Sequence, residues 1–185
     1  MSSMAGVSEP MQALYEGDRE RAERLLAERD QLDVFEAAAF GRVERLRELL
    51  VADPGLAAAF SPDGFTALHF SAFFSSPGAA ALLLEHGADP RARAQNPMRV
   101  EPLHSAAAAD QTQIARLLLD AGADPNAKQE GGFAPLHASA QNGNAELTEL
   151  LIERGADASA VTDEGRTAAD FAREGGHERL ANSLA

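Results

Sequence analysis

Apolar and polar residues along this chain follow helical spacings, and one arrangement of them returns several times. A run of three large aliphatic residues precedes a Gly-Ala-Asp triplet at Gly87, at Gly122 and at Gly155, with intervals of 35 and 33 residues. Leu-His pairs recur with the same two intervals, at residues 68–69, 103–104 and 136–137. Because the two motifs recur at the same intervals, they indicate a repeated structural unit of about 33 residues.

Within one unit, the order of the residues predicts a helix, a turn, a second helix and a loop. Gly64 permits the positive φ of a turn, and Thr66 is suited to cap the first helix. The first helix is predicted to end before residues 75–78. The second helix is predicted to end at Gly87, because glycine adopts the left-handed conformation in which backbone N–H groups bond the last helical carbonyls. Asp89-Pro90 then leads into an extended loop.

The same phase extends to both ends of the chain. Residues 165–185 predict a terminal unit with a short second helix, and residues 35–50 predict a helix pair that lacks the Leu-His landmark. Only 24 residues separate Gly17 from Gly41, so we expect the first helix pair to join the second without an extended loop. The predicted boundaries are a disordered tail at 1–7, a capping helix pair at 8–31, repeats at 32–63, 64–97, 98–131 and 132–164, and a capping repeat at 165–185.

The segment Gly-Phe-Thr-Ala-Leu-His at 64–69, together with the triplet at 87–89, resembles an ankyrin repeat, in which G-x-T-P-L-H precedes a glycine and L-L-L-x-x-G-A-D. The chain is similar to small ankyrin proteins of bacterial type. This resemblance implies an all-α fold, an ankyrin-repeat solenoid of stacked helix-turn-helix units with β-hairpin-like loops. The copies depart from the pattern at Ser75, Arg99, Glu101, Asp110 and Ala134.

Stacked units bury their apolar faces against each other, so the core is expected to run as a line along the repeats. The predicted core residues are Leu46, Leu49, Leu50, Leu68, Ala72, Leu82, Leu83, Leu103, Ala107, Leu117, Leu118, Leu136, Ala140, Leu150, Leu151 and Phe171.

Composition and charge narrow the range of partners. The chain has no cysteine, which excludes disulfides, zinc knuckles and thiol catalysis. A net charge of −13 argues against nucleic acid or an anionic membrane as the partner. No apolar run is long enough to span a membrane, and the first ten residues lack the features of a signal peptide, so we expect a cytoplasmic protein.

Three histidines, His69, His104 and His137, occupy equivalent places and could be taken for metal ligands. Each belongs to its own unit, however, and units that stack about 10 Å apart cannot bring all three to one ion. We therefore expect each imidazole to hydrogen-bond its own helix cap and loop. No cofactor and no metal site is predicted.

The chain contains no phosphate-binding loop, nucleophile elbow or zinc-protease motif, and we predict no enzymatic activity. The resemblance implies instead a module that binds another protein through its concave face and loop tips, as a monomer. Two alternatives stay open: self-association through an apolar strip on that face, and an enzyme or metal site hidden in the ankyrin frame.

The resemblance also implies where partner contacts lie: beside each turn glycine, at the end of each first helix, and in the loop that leads to the next turn. Aromatic anchors with polar neighbours are typical of protein-binding surfaces. Phenylalanines at these positions could equally pack into the core. The predicted partner-binding residues are Asp63, Phe65, Phe73, Phe74, Arg93, Met98, Val100, Lys128, Phe133, Gln141, Asn142 and Arg166.

Overall fold

The structure is a computed structural model of the chain and describes residues 7–29 and 31–185. Residues 1–6 of the predicted tail lie outside the described residues. Val7, the last residue of that predicted tail, is half-buried and packs against the apolar cluster of the first helix pair.

The described residues form twelve α-helices and two short 3-10 turns, without a strand or a sheet. The 3-10 turns lie at Pro54–Ala58 and Glu130–Gly132. The helices are α1 (Glu9–Tyr15), α2 (Arg19–Ala27), α3 (Val34–Ala39), α4 (Val43–Ala52), α5 (Ala67–Phe73), α6 (Pro77–Glu85), α7 (Pro102–Ala108), α8 (Thr112–Asp120), α9 (Pro135–Asn142), α10 (Ala145–Glu153), α11 (Ala168–Glu174) and α12 (Glu178–Ser183).

Consecutive helices form pairs, and the pairs stack in chain order into two layers. The inner layer contains the odd-numbered helices, each packed on the next from α1 to α11, and the even-numbered helices from α4 to α10 pack in the same way to form the outer layer. The core therefore follows the axis of the stack, as expected for a solenoid. An all-α repeat fold is confirmed.

The turn between the two helices of a unit needs one residue in the left-handed conformation. Gly143 has that conformation, with a φ of 73°, and so do two residues that replace glycine: Ser75 at 62° and Asp110 at 58°. Because a residue with a Cβ is strained at positive φ, the backbone of the stack imposes this turn even where glycine is missing.

The loops between units are short fingers, each closed by an antiparallel backbone hydrogen bond. The fingers are closed by bonds from Ser61 N to Phe65 O (2.8 Å), Ala94 N to Val100 O (2.8 Å), Gln129 N to Phe133 O (3.0 Å) and Thr162 N to Arg166 O (3.0 Å). The second finger is two residues longer than the others, and this is where the 35-residue interval differs from the 33-residue interval. Isolated bridges pair Phe60 with Thr66 and Val161 with Thr167, so the fingers are hairpin-like.

The fingers are joined to each other through backbone atoms as well as through the helices that carry them. Gln95 N donates to Gly64 O (2.8 Å), Glu130 N donates to Met98 O (3.1 Å), and Asp163 N donates to Gly131 O (3.0 Å). These bonds fix the order and spacing of the finger tips along one edge of the inner face.

Two of the predicted core residues lie at the edge of the core. Leu49 and Leu117 are only half-buried. In α4 the buried face is that of Leu46 and Leu50, and in α8 it is that of Ile114, Leu118 and Leu119, so each of the two leucines lies beside the buried face of its helix. The other predicted core residues are buried. A separate apolar cluster connects the first helix pair to the second and to Phe70 of α5.

Candidate functional site: an aromatic groove on the inner face

The three Leu-His histidines connect each helix cap to the finger that follows the unit. His69 Nδ1 lies 3.2 Å from Thr66 N and 2.8 Å from Thr66 Oγ1, and His69 Nε2 lies 3.0 Å from Val100 O. Because a backbone N–H can only donate, Nδ1 accepts and the proton is on Nε2. The equivalent bonds join His104 to Glu101 N (3.1 Å) and Ala127 O (3.0 Å), and His137 to Ala134 N (2.9 Å) and Ala160 O (3.2 Å).

This geometry confirms that the histidines hydrogen-bond the cap and loop. Burial lowers the pKa of His69 to about 4, and it also lowers the pKa of His104 and of His137. The neutral imidazole is therefore the form that holds one unit to the next. Among the residues that the structure describes, no group of three or more histidine, aspartate or glutamate side chains is arranged to hold a metal ion.

An apolar groove of about 730 Å³ lies on the inner face, where α1 and α5 meet the first two fingers. We call it the aromatic groove and define it by Tyr15, Asp63, Phe65, Phe73, Phe74 and Met98, with Val100 at its floor. The groove therefore brings together six of the twelve predicted partner-binding residues: Asp63, Phe65, Phe73, Phe74, Met98 and Val100.

The aromatic rings of the groove support one another and differ in their exposure. Phe74 lies 5.2 Å from Phe73 and 5.4 Å from Tyr15 between ring centroids, both in edge-to-face contact, and stacks at 6.4 Å on the buried ring of Phe70. Edge-to-face and offset contacts at these separations are favourable. Phe73 is 44% exposed and Met98 is 51% exposed, so these two side chains are the most accessible apolar residues of the groove, followed by Tyr15 at 36%.

Phe65, Phe74 and Val100 contribute less surface than the sequence predicted. Phe65 and Phe74 are half-buried because both pack on Phe70, and Val100 is 9% exposed because it closes the second finger over the floor. Phenylalanines at these positions were expected either to bind a partner or to pack into the core. Phe65 and Phe74 pack in part into the core, whereas Phe73 points outward.

One acidic side chain lies in this apolar surrounding. Asp63 Oδ2 accepts a hydrogen bond of 3.0 Å from Tyr15 Oη, and Asp63 Oδ1 accepts a short one from Ser61 Oγ. Burial, and next the charge of Asp63, raise the pKa of Tyr15, so its hydroxyl remains a donor to the carboxylate.

Three predicted cationic contact residues lie outside the groove and are engaged within the protein. Arg93 pairs with Glu101 at 3.3 Å, and Lys128 Nζ donates to Val161 O at 3.1 Å. Arg166 pairs with Glu174, and its guanidinium lies 3.9 Å from the centre of the Phe171 ring. Lys128 thus joins the third finger to the fourth, while Arg93 and Arg166 bond the helix that follows their own finger or its cap.

Phe133, Gln141 and Asn142 also lie outside the groove. The Phe133 ring packs 5.4 Å from Phe171, because the last unit stacks on it, and the predicted apolar strip therefore does not continue from Met98 to Phe133. The Asn142 amide donates to Asp110 Oδ1 (3.1 Å) and to Ala108 O (3.2 Å), while Gln141 is exposed.

Tyr15 and Phe70 belong to the groove and its support but were absent from the predicted site. For Tyr15 a signal existed: it precedes Gly17 by two residues, as Phe73 precedes Ser75, so the two aromatic rings occupy equivalent places in their units. Phe70 gave no such signal, because the equivalent positions carry Ser105 and Ala138.

Helix pairs joined by left-handed turns, hairpin fingers and a histidine bond from each cap to the next finger define a helical repeat solenoid. A sequence profile described as Ankyrin repeats (3 copies) matches residues 11–129 and 103–185, and the chain belongs to the ankyrin repeat family. Ankyrin repeats are generally protein-interaction modules. A comparison with curated proteins finds no match. In the described part of the chain, no helix is long and apolar enough to cross a membrane.

Proposed function

We propose that this chain is a protein-interaction module that binds a partner protein through the aromatic groove, as a monomer and without catalysis of its own. The observation that carries the proposal is that Phe73 and Met98, the most exposed apolar side chains of the groove, line one cavity together with Phe74, whose ring packs on Phe73, Tyr15 and Phe70. Large apolar side chains on a preorganised surface are the usual anchors of protein interfaces, since they lose little conformational entropy on binding. The cytoplasmic location stays a prediction from the sequence.

The test replaces the two exposed anchors and leaves their support intact. Phe73→Ser with Met98→Ser should abolish capture of the partner from native cell extract, while the helical content and the melting temperature stay close to those of the unmodified protein. Serine at Phe65 or Phe74 is a poorer test, because both rings pack on Phe70 and their loss also destabilises the fold.

Val51→Ser is the matched control, because Val51 is 69% exposed on the outer helix α4, away from the groove. This variant should capture the partner as the unmodified protein does. Capture that survives in the Phe73/Met98 variant would refute the groove as the binding site. Light scattering over a dilution series separates self-association, which would leave a concentration-dependent mass, from binding of a different protein.

A further inference from the structure

We infer that the aromatic groove takes a peptide segment that carries a lysine or an arginine between apolar side chains, with the cationic group at Asp63. This inference rests on the proposed function and specifies the chemistry of its partner.

The carboxylate of Asp63 in the groove has room for a further hydrogen-bond donor. Asp63 accepts one hydrogen bond from Tyr15 and one from Ser61, which leaves acceptor sites on both oxygens for a donor from outside. Within residues 7–29 and 31–185, no lysine or arginine forms an ion pair with Asp63. A partner that covered this carboxylate with apolar atoms alone would lose the hydration of a charge without replacing it.

Charged side chains on the neighbouring finger tips influence which occupant the groove attracts. Glu130 lies beside Met98, whose carbonyl accepts from the Glu130 backbone, and Asp163 and Glu164 lie at the tip of the next finger. Arg99 is the cation of the tip that carries Met98, while Arg93, Lys128 and Arg166 are bonded within the protein. The finger tips are therefore mainly acidic, in a chain of net charge −13.

An apolar groove with a carboxylate suits a long side chain that has an apolar stem and a cationic end. A lysine or arginine has an aliphatic stem that can pack on Phe73 and Tyr15 while its charged end reaches the carboxylate. The aromatic faces favour the same cation, because a guanidinium or ammonium group is attracted to a ring face. Flanking apolar side chains would cover Phe73 and Met98. An acidic peptide, or a second copy of this acidic chain, would be repelled.

The probes are three capped peptides with the sequence Ala-Leu-Xaa-Leu-Ala, where Xaa is lysine, glutamine or glutamate. Their dissociation constants are measured from the shifts of backbone amide signals in a protein labelled with nitrogen-15. We expect the lysine peptide to bind about threefold more tightly than the glutamine peptide, the size typical of one exposed ion pair. The glutamate peptide should bind most weakly, and the shifts should centre on Asp63, Phe73 and Met98.

Two substitutions at one position then test the role of the charge. Asp63→Asn should make the lysine and glutamine peptides bind equally, and Asp63→Lys should reverse the preference toward glutamate. Glu85→Gln is the matched control, because it removes the same charge from the exposed end of the outer helix α6 and should keep the preference for lysine. Dispersed amide signals in each variant verify that the fold is intact.

Different negative results would refute different proposals. If the glutamine or glutamate peptide binds as tightly as the lysine peptide, or if the preference survives Asp63→Asn, the cationic occupant is refuted while the groove remains a binding site. If none of the peptides shifts the groove amides, this inference is refuted, whereas the proposed function is refuted separately, by partner capture that survives in the Phe73/Met98 variant.

Discussion

Gly64 lies where two neighbouring fingers touch, and the contact requires a residue without a side chain. Its φ of 85° favours glycine, and a Cβ placed there would lie 2.8 Å from the backbone carbonyl of Gln95 in the next finger. Gly165 has a similar φ of 76° in the last finger, yet a Cβ there would meet nothing within 4 Å. The two glycines therefore separate backbone strain from a steric clash.

We predict that Gly165→Ala costs about 1 kcal/mol of unfolding free energy, from strain at positive φ alone. Gly64→Ala should cost a further 1–3 kcal/mol or so, because the clash is with backbone that cannot move aside without shifting the second finger. Urea unfolding of both variants measures the difference. Equal losses in the two variants would show that the fingers are not held together as described.

The sequence predicts individual residues where the local backbone allows only a few residue types. It does not predict contacts between residues of distant units. The N-cap position of Thr66 and the turn glycines were predictable because caps and positive φ restrict the choice of residue, although the Thr66 hydroxyl bonds His69 Nδ1 (2.8 Å) and not a backbone N–H. The contact between Tyr15 and Asp63 was not, because it spans 48 residues and depends on how three units stack. The exposed Phe73 and the half-buried Phe74 are neighbours in sequence, and only helix packing distinguishes them.

At the scale of the elements, the histidines make the contact between units sensitive to pH. The Nδ1 atom of His69 accepts from the Thr66 backbone N–H, so a proton on Nδ1 would oppose a donor. The pKa of His69 falls from its ordinary 6.5 to about 4, and the unfolded chain therefore binds more protons than the folded one between these values. Stability is then full above pH 6.5 and decreases as the pH falls toward 4, by about 3 kcal/mol for His69 alone.

His69→Asn tests this contribution. The variant should be less stable than the unmodified protein at pH 7.5, and the gap in unfolding free energy should narrow by about 2 kcal/mol at pH 5, because only the unmodified protein loses the His69 contribution. Denaturant unfolding at the two pH values gives both gaps. A gap that stays constant would mean that the neutral His69 bond does not couple stability to pH.

The elements themselves were largely predictable, because the period, the Leu-His pairs and the Gly-Ala-Asp triplets mark positions that every unit uses for the same purpose. The longer second finger followed from the spacing of 35 residues. The extent of burial within α8 did not, because Leu117, Leu118 and Leu119 are equivalent in hydrophobicity, and the rotation of the helix against its neighbours decides which of them faces inward.

On the scale of the whole molecule, stacking places unlike residues from different units on one face. The groove is formed by residues of different units: Tyr15 of the first helix pair, Phe73 of the third pair and Met98 of the second finger. Each residue continues the pattern of its own unit, but no single unit contains the groove. The histidine bonds and finger contacts hold the units from α5 onward in register, and an apolar cluster with Phe70 joins the first helix pair to them. The binding surface is thus a property of the stack.

Hydrogen exchange of the protein with and without its captured partner maps the surface that the partner covers. If the partner binds the aromatic groove, exchange slows in segments 70–76 and 95–101, which carry Phe73 and Met98, and stays unchanged in the outer helices α4 and α6. Slower exchange confined to the outer helices, with the two groove segments unaffected, would show that the partner binds elsewhere.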